Sequence, residues 1–188
     1  MTDLSTVADV TLLRRMSAGD DDAFTALYRR RQGGIYRFAL QMCGSQAIAE
    51  DVTQEVFLLL IRESSAYDPN RGSLQAFLYG VARNHVLRAL ERNREGVPLE
   101  DEPEPCAVGV QDALTNLTRA EALEAVRQAV LALPSHYREV VVLCDLEEMD
   151  YANAAAVLGC SIGTVRSRLH RARGLLTAKL RADPARCI

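Results

Sequence analysis

The chain lacks most of what export, membrane insertion or catalysis would require. No stretch in it approaches the ~18 consecutive apolar residues of a membrane span. Its start, Met1-Thr-Asp-Leu-Ser5, is polar and has none of the basic-then-apolar order of a signal peptide, so a cytoplasmic protein is expected. Five cysteines, at 43, 106, 144, 160 and 187, are odd in number and contain no Cys-x-x-Cys pair. That argues against a disulfide framework and against a standard zinc site. Cys43 and Cys144 sit among apolar neighbours and read as small core residues, and spacing supports no redox role for Cys106, Cys160 or Cys187. The three histidines, His85, His136 and His170, stand neither beside a nucleophile nor in metal-ligand spacing, so no catalysis, metal or cofactor is expected.

Strand patterns and internal repeats are missing as well. Val140-Val-Val-Leu143 is β-prone but short and set in helical spacing. Leu131, Val140, Val141 and Leu146 are therefore assigned to a helical core, with Pro134 near the first turn of the helix that carries most of them. The 188 residues, 48% hydrophobic and 25% charged, suffice for one domain or two small ones.

Net charge is small, at -3, but it is unevenly placed. From Glu95 to Asp112 there are six acids and no Lys or Arg, and from Ser161 to Ala182 six Lys or Arg and no acid. DNA responds to the local charge rather than the total. The acidic stretch also holds three of the six prolines and no apolar periodicity, and so reads as a flexible linker over residues 95 to 112. It separates an N-terminal helical domain, residues 8 to 94, from a C-terminal one, residues 113 to 182. The expected fold is all-α.

In the second domain, Val165, Leu169, Ala172 and Leu176 form one stripe at helical spacing. Thr164, Ser167, His170 and Arg171 point away from it, with Arg166, Arg168 and Arg173 on the flanks. An Ala-rich segment, Tyr151 to Leu158, precedes this helix, and Gly159-Cys160-Ser161 makes the turn between them. Gly159 suits a left-handed C-cap and Ser161 an N-cap. The pair is a helix-turn-helix whose second helix would enter the major groove.

In the first domain, Asp20 to Arg37 reads as an amphipathic helix pair eased at Gly33-Gly34, with Phe24, Leu27, Tyr28, Ile35 and Tyr36 inward. Farther on, Asp51, Gln54 and Glu55 share a helix face opposite Val52, Val56 and Leu59. The turn-rich loop Ser64 to Ser73 then leads into a helix, Leu74 to Arg94. That helix carries Phe77, Tyr79, Arg83, Asn84, His85, Arg88, Arg92 and Arg94, a set able to stack on and hydrogen-bond unpaired bases. Either ring serves a core equally well.

Four segments in order carry a resemblance: Ala49-Glu-Asp-Val-Thr-Gln-Glu-Val-Phe57, Ala76-Phe-Leu-Tyr-Gly-Val-Ala-Arg-Asn84, Leu133-Pro-Ser-His-Tyr-Arg-Glu-Val140 and Gly163-Thr-Val-Arg-Ser-Arg-Leu-His-Arg-Ala-Arg173. Over nearly its whole length the chain resembles the extracytoplasmic-function (ECF) sigma factors of the bacterial sigma-70 family. The resemblance implies a transcription initiation factor with a region 2-like and a region 4-like domain, responding to a stress or environmental signal. It implies that Asp51, Gln54 and Glu55 grip core RNA polymerase. It places Asp68, Asn70, Phe77, Arg83, Asn84 and Arg88 on the melted minus-ten element of promoter DNA. Thr164, Arg166, Ser167, His170 and Arg171 then fall on the minus-thirty-five element, with an anti-sigma factor as a further partner. Two positions depart from the family's pattern: Phe77 stands where Trp is common, and Asn153-Ala154 where an acid followed by Ile is common. The alternative is a helix-turn-helix regulator that binds DNA without polymerase, which a dimerisation surface or sensing domain would favour; the N-terminal half suggests neither.

Overall fold

The computed structural model describes the backbone of residues 6 to 95 and 113 to 182, and the side chains of 6 to 92 and 122 to 181. The expected linker thus lies almost wholly outside the described residues, as do Cys106 and Cys187. Short polar side chains set the helix starts. Asp20, Ser45, Ser73, Asp150 and Ser161 each accept a hydrogen bond from the backbone N–H three residues on, at 3.0, 3.4, 3.1, 2.8 and 3.1 Å. Each thereby satisfies a donor that the first helical turn leaves without a partner. The helices that follow are α1 (Asp9–Ser17), α2 (Asp21–Cys43), α3 (Gln46–Arg62), α4 (Leu74–Glu95), α5 (Ala113–Leu131), α6 (Ser135–Val141), α7 (Tyr151–Leu158) and α8 (Ile162–Ala182). No strand occurs among the described residues.

Helix α2 is the axis of the first half, with α1, α3 and α4 packed on it. Leu27, Ile35, Phe38 and Met42 of α2 are wholly buried. Phe24, Tyr28 and Phe57 cluster beside them, the Tyr28 and Phe57 ring centroids 4.7 Å apart. Burying a side chain of this size stabilises by about 1.5–3 kcal/mol. The second half is smaller and aliphatic: Val140, Leu143, Ala154, Val165, Leu169 and Ala172 close the space between α6, α7 and α8.

The two halves also pack on each other. Helix α7 lies against α4, and α5 and α6 lean on α2. Arg138 at the start of this seam donates to the carbonyls of Met42 in α2 and of Leu131 and Leu133 in its own half.

Three expectations are corrected. The segment Asp20 to Arg37 is one unbroken helix through Gly33 and Gly34, not a pair; its register stays in phase across the glycines, so no break is required. Leu146 is 40% exposed and Leu131 half-buried, so neither belongs to the core proper. The helix containing Val140 and Val141 widens into a π turn at Val142–Leu146, which rotates Leu146 outward.

Candidate nucleic-acid interface

Asp150 caps α7, and Gly159 ends it in the left-handed conformation, φ 62°, ψ 37°. The Cys160 N–H closes this turn on the Ala155 carbonyl at 3.1 Å, a glycine-dependent C-cap. Ser161 then starts α8, its hydroxyl 2.9 Å from that of Thr164. Along α8, Val165, Leu169 and Ala172 are buried, whereas Arg166, Ser167, His170 and Arg171 are exposed. Thr164 is half-buried at the rim. The apolar stripe therefore fixes the helix and turns these four polar side chains to solvent.

Two contacts hold this surface in shape. The Arg166 guanidinium lies 5.7 Å from the centre of the Tyr151 ring, within cation–π range. Arg173 makes a two-pronged pair with Asp145 of the π turn, at 2.6 and 3.1 Å, so it braces α8 rather than facing outward alone. Asp145 was not legible from the sequence, because it stands 28 residues from its partner.

In the first half, the loop before α4 makes two short 3₁₀ turns, Ser64–Ala66 and Pro69–Arg71. Asp68 accepts from the backbone and side-chain amides of Asn70 at 2.9 and 3.0 Å, and both residues are exposed. Phe77 is half-buried, edge-on to Tyr67 with centroids 5.8 Å apart. Asn84 and Arg88 are exposed one turn apart on α4. Arg83 differs: its Nε donates to Glu139 of the second half at 2.9 Å, and that carboxylate is only 3% exposed. Tyr79 is core, and burial followed by the adjoining Glu147 charge pushes its phenol above the ordinary tyrosine range.

Asp51, Gln54 and Glu55 are exposed on α3. They border a groove of about 580 Å³, faced across by His85 and Arg92 of α4. On the other side of Gln54 runs an apolar groove of about 780 Å³ between α2 and α3, lined by Phe24, Tyr28, Phe57 and Ile61, with Glu50 at its rim. This groove escaped sequence reading because Ile61, 52% exposed, looks like one more core residue in an apolar run.

Two of the thiols, Cys43 and Cys144, are held in the protonated form. Burial raises the Cys43 thiol, and burial with the nearby Asp145 pushes Cys144 up to about 11, which suppresses the reactive thiolate. Among the described residues no helix is long and apolar enough to cross a membrane.

The chain matches the family models for sigma-70 region 2 over residues 27 to 95 and sigma-70 region 4 over residues 123 to 176. It is 34% identical over 172 residues to the ECF RNA polymerase sigma factor SigE of Mycolicibacterium smegmatis, covering 84% of this chain and 62% of that protein. With the ECF RNA polymerase sigma factor SigC of Mycobacterium tuberculosis it shares 32% identity, over 93% of this chain and 92% of the relative. The structure of the sigma factor RpoE in complex with the anti-sigma factor NepR from Bartonella quintana superposes with a TM-score of 0.67 at 26% identity, covering 85% of this chain and 98% of that one. Both regions match in order, and a relative above 30% identity is covered almost end to end; the chain belongs to the ECF sigma factors of the sigma-70 family, whose members direct transcription initiation and are not enzymes.

Proposed function

We propose that this sigma factor, acting in the cytoplasm and without catalysis of its own, binds core RNA polymerase through Asp51, Gln54 and Glu55. The neighbouring apolar groove adds buried area to that contact, so charge sets register and the groove supplies affinity. The loop residues Asp68 and Asn70, with Phe77, Arg83, Asn84 and Arg88, take up the melted non-template strand at the minus-ten element. Stacking and hydrogen bonds to an extruded base offset a few kcal/mol of unstacking, so melting and recognition become one event. Thr164, Arg166, Ser167, His170 and Arg171 read the minus-thirty-five element as duplex. A bidentate arginine to guanine there is worth about 1–3 kcal/mol of discrimination. Residues 8 to 94 and 113 to 182 form the two working units. An anti-sigma factor, the class of partner bound to the Bartonella quintana relative, is the expected inhibitor.

The observation that carries this reading is the exposure of Arg166, Ser167, His170 and Arg171 on an acid-free helix anchored by its opposite face. Run-off transcription with bacterial core polymerase on fragments of the source genome tests it. Discrete new transcripts from a shared two-part promoter are expected, and Asp51→Arg should lower core affinity at every promoter. Footprints by the protein alone, without transcripts, would replace the reading with a polymerase-independent regulator.

A further inference from the structure

Tyr151 opens α7 and is 37% exposed, outside the core that fills the space between α6, α7 and α8. Over its ring lies the Arg166 guanidinium of α8, 5.7 Å from the centroid. The cap of α7 fixes the backbone at this point. Asp150 accepts from the backbone and side-chain amides of Asn153, so the acid next to the ring in sequence is committed to the helix start. No acid pairs with Arg166 among the described residues. The ring is what holds it.

Arg173 stands two helical turns farther along α8 and shows the other way to hold an arginine. Asp145 takes its Nε and one terminal nitrogen, at 3.1 and 2.6 Å. The charge of Arg173 and part of its donor fork are thereby spent within the protein. A ring acts differently. The five N–H donors of an arginine lie in the guanidinium plane, so an aromatic group against the flat face leaves the donors and the positive charge available. Arg171, the other exposed arginine of the set assigned to the minus-thirty-five element, has neither ring nor acid against it among the described residues. An unheld arginine loses its rotamer freedom when it takes a base, and one already confined loses less.

We propose that Tyr151 is a positioning residue for readout of the minus-thirty-five element: its ring holds Arg166 in one orientation, with charge and donor fork free, and raises discrimination at the base pair that Arg166 meets. This rests on the assignment of Arg166 to that element. Tyr151 thereby serves the reading surface from the first helix of the helix-turn-helix, acting through Arg166 and not on a base itself.

Holoenzyme assembled with core polymerase tests this by competition between promoters that differ at single base pairs of the minus-thirty-five element. Arg166→Ala identifies the pair it reads, as the position where preference disappears. At that pair Tyr151→Leu, which keeps apolar bulk and removes the ring, should lower discrimination about two- to fivefold, the worth of an exposed cation–π contact. Tyr151→Phe keeps the ring and should keep the discrimination. Tyr151→Leu combined with Arg166→Ala should lose no more than Arg166→Ala alone, because the ring acts only through the arginine. Equal loss from Tyr151→Leu on every promoter would mean a structural role, and a uniform loss from Tyr151→Phe would mean that the phenol itself holds a phosphate. Either result overturns the positioning role, as does full discrimination in Tyr151→Leu. Should circular dichroism show that Tyr151→Leu does not fold, side-chain nitrogen relaxation in the wild-type chain decides. The Arg166 Nε–H should be more ordered than that of Arg171, and equal mobility overturns the proposal. Discrimination left intact by Arg166→Ala removes Arg166 from the readout, and failure of wild type to initiate at all overturns the functional reading; the positioning role falls with either.

Discussion

Helices α4 and α8 both carry arginines on a polar face, but they present them differently. On α8 Arg166, Ser167, His170 and Arg171 are exposed and Thr164 is half-buried, and among the described residues the one arginine tied by an acid, Arg173, is tied within its own half. On α4 the arginine nearest the helix centre, Arg83, is held by an acid of the other half. A helix that reads duplex DNA needs only a rigid exposed face. One that takes up a melted strand must first give up whatever covers it. The polar face of α4 is thus tied in part to the other half, whereas the tie on α8 stays within its own half.

The sharpest way to break this contrast is to remove the anchor of α8. Leu169 is 2% exposed beneath the polar face of α8, and Leu169→Ala should cost about 2–5 kcal/mol, the usual range for a buried leucine. Urea unfolding should register that loss, and initiation should fail at promoters that depend on the minus-thirty-five element. If stability falls and α8-dependent promoters are unaffected, the rigid-face account is wrong.

Loosening the cover of α4 comes next. Tyr79→Phe removes the phenol bond to Glu147 and keeps the ring that packs edge-on to Phe38, 5.4 Å between centroids. A hydrogen bond to a charged group is worth about 1.5–3 kcal/mol, and Arg37 remains as a partner of Glu147, so the lower end is expected. The loss should come with faster hydrogen exchange in α7 as well as α4. Exchange confined to α4 would mean that the halves are not coupled through this contact.

Arg171→Ala addresses readout. It should lower discrimination at one base pair of the upstream element by up to about 1–3 kcal/mol, measured by competition between promoter variants. Initiation at promoters lacking that element should be unchanged. The exposed α8 site should show this in binary DNA binding, without any opening step.

How far each helix was legible in the sequence follows the same division. The face of α8 was readable because its apolar and basic residues separate with the helical period, and its cap and turn, Ser161 and Gly159, adjoin it. The two-half, all-helical plan was readable from the acid-rich stretch and the missing strand pattern. What could not be read lies in pairs distant along the chain: Arg83 with Glu139, 56 residues apart, and Tyr79 with Glu147, 68 apart. No periodicity encodes such pairs. Gly34 illustrates the cost, since two adjacent glycines suggest a break from local rules alone, whereas the helix runs on and the missing Cβ makes room first for the Tyr79 hydroxyl of its own half and then for Glu147 of the other.

Helix α7 touches both α4 and α8, so its cap offers the finest adjustment. Asp150 accepts from the backbone N–H of Asn153 at 2.8 Å and also from its side-chain amide. These bonds favour the carboxylate and hold Asp150 below the usual aspartate range, the backbone bond first among them. Because the folded-state value is depressed, the cap contributes above the unfolded value of about 3.9 and is lost as pH falls through the lower folded value. Caps of this kind are worth about 0.5–2 kcal/mol. Asp150→Ala should therefore lower stability near neutral pH by an amount in that range, and the gap from wild type should close as pH drops below about 4. Asn153 also holds Ser73, so the variant should release the loop before α4 and leave the packing of α8 in place. Equal loosening of α4 and α8, read by hydrogen exchange, would mean that α7 ties both helices with the same strength and that the contrast between them does not begin at this cap.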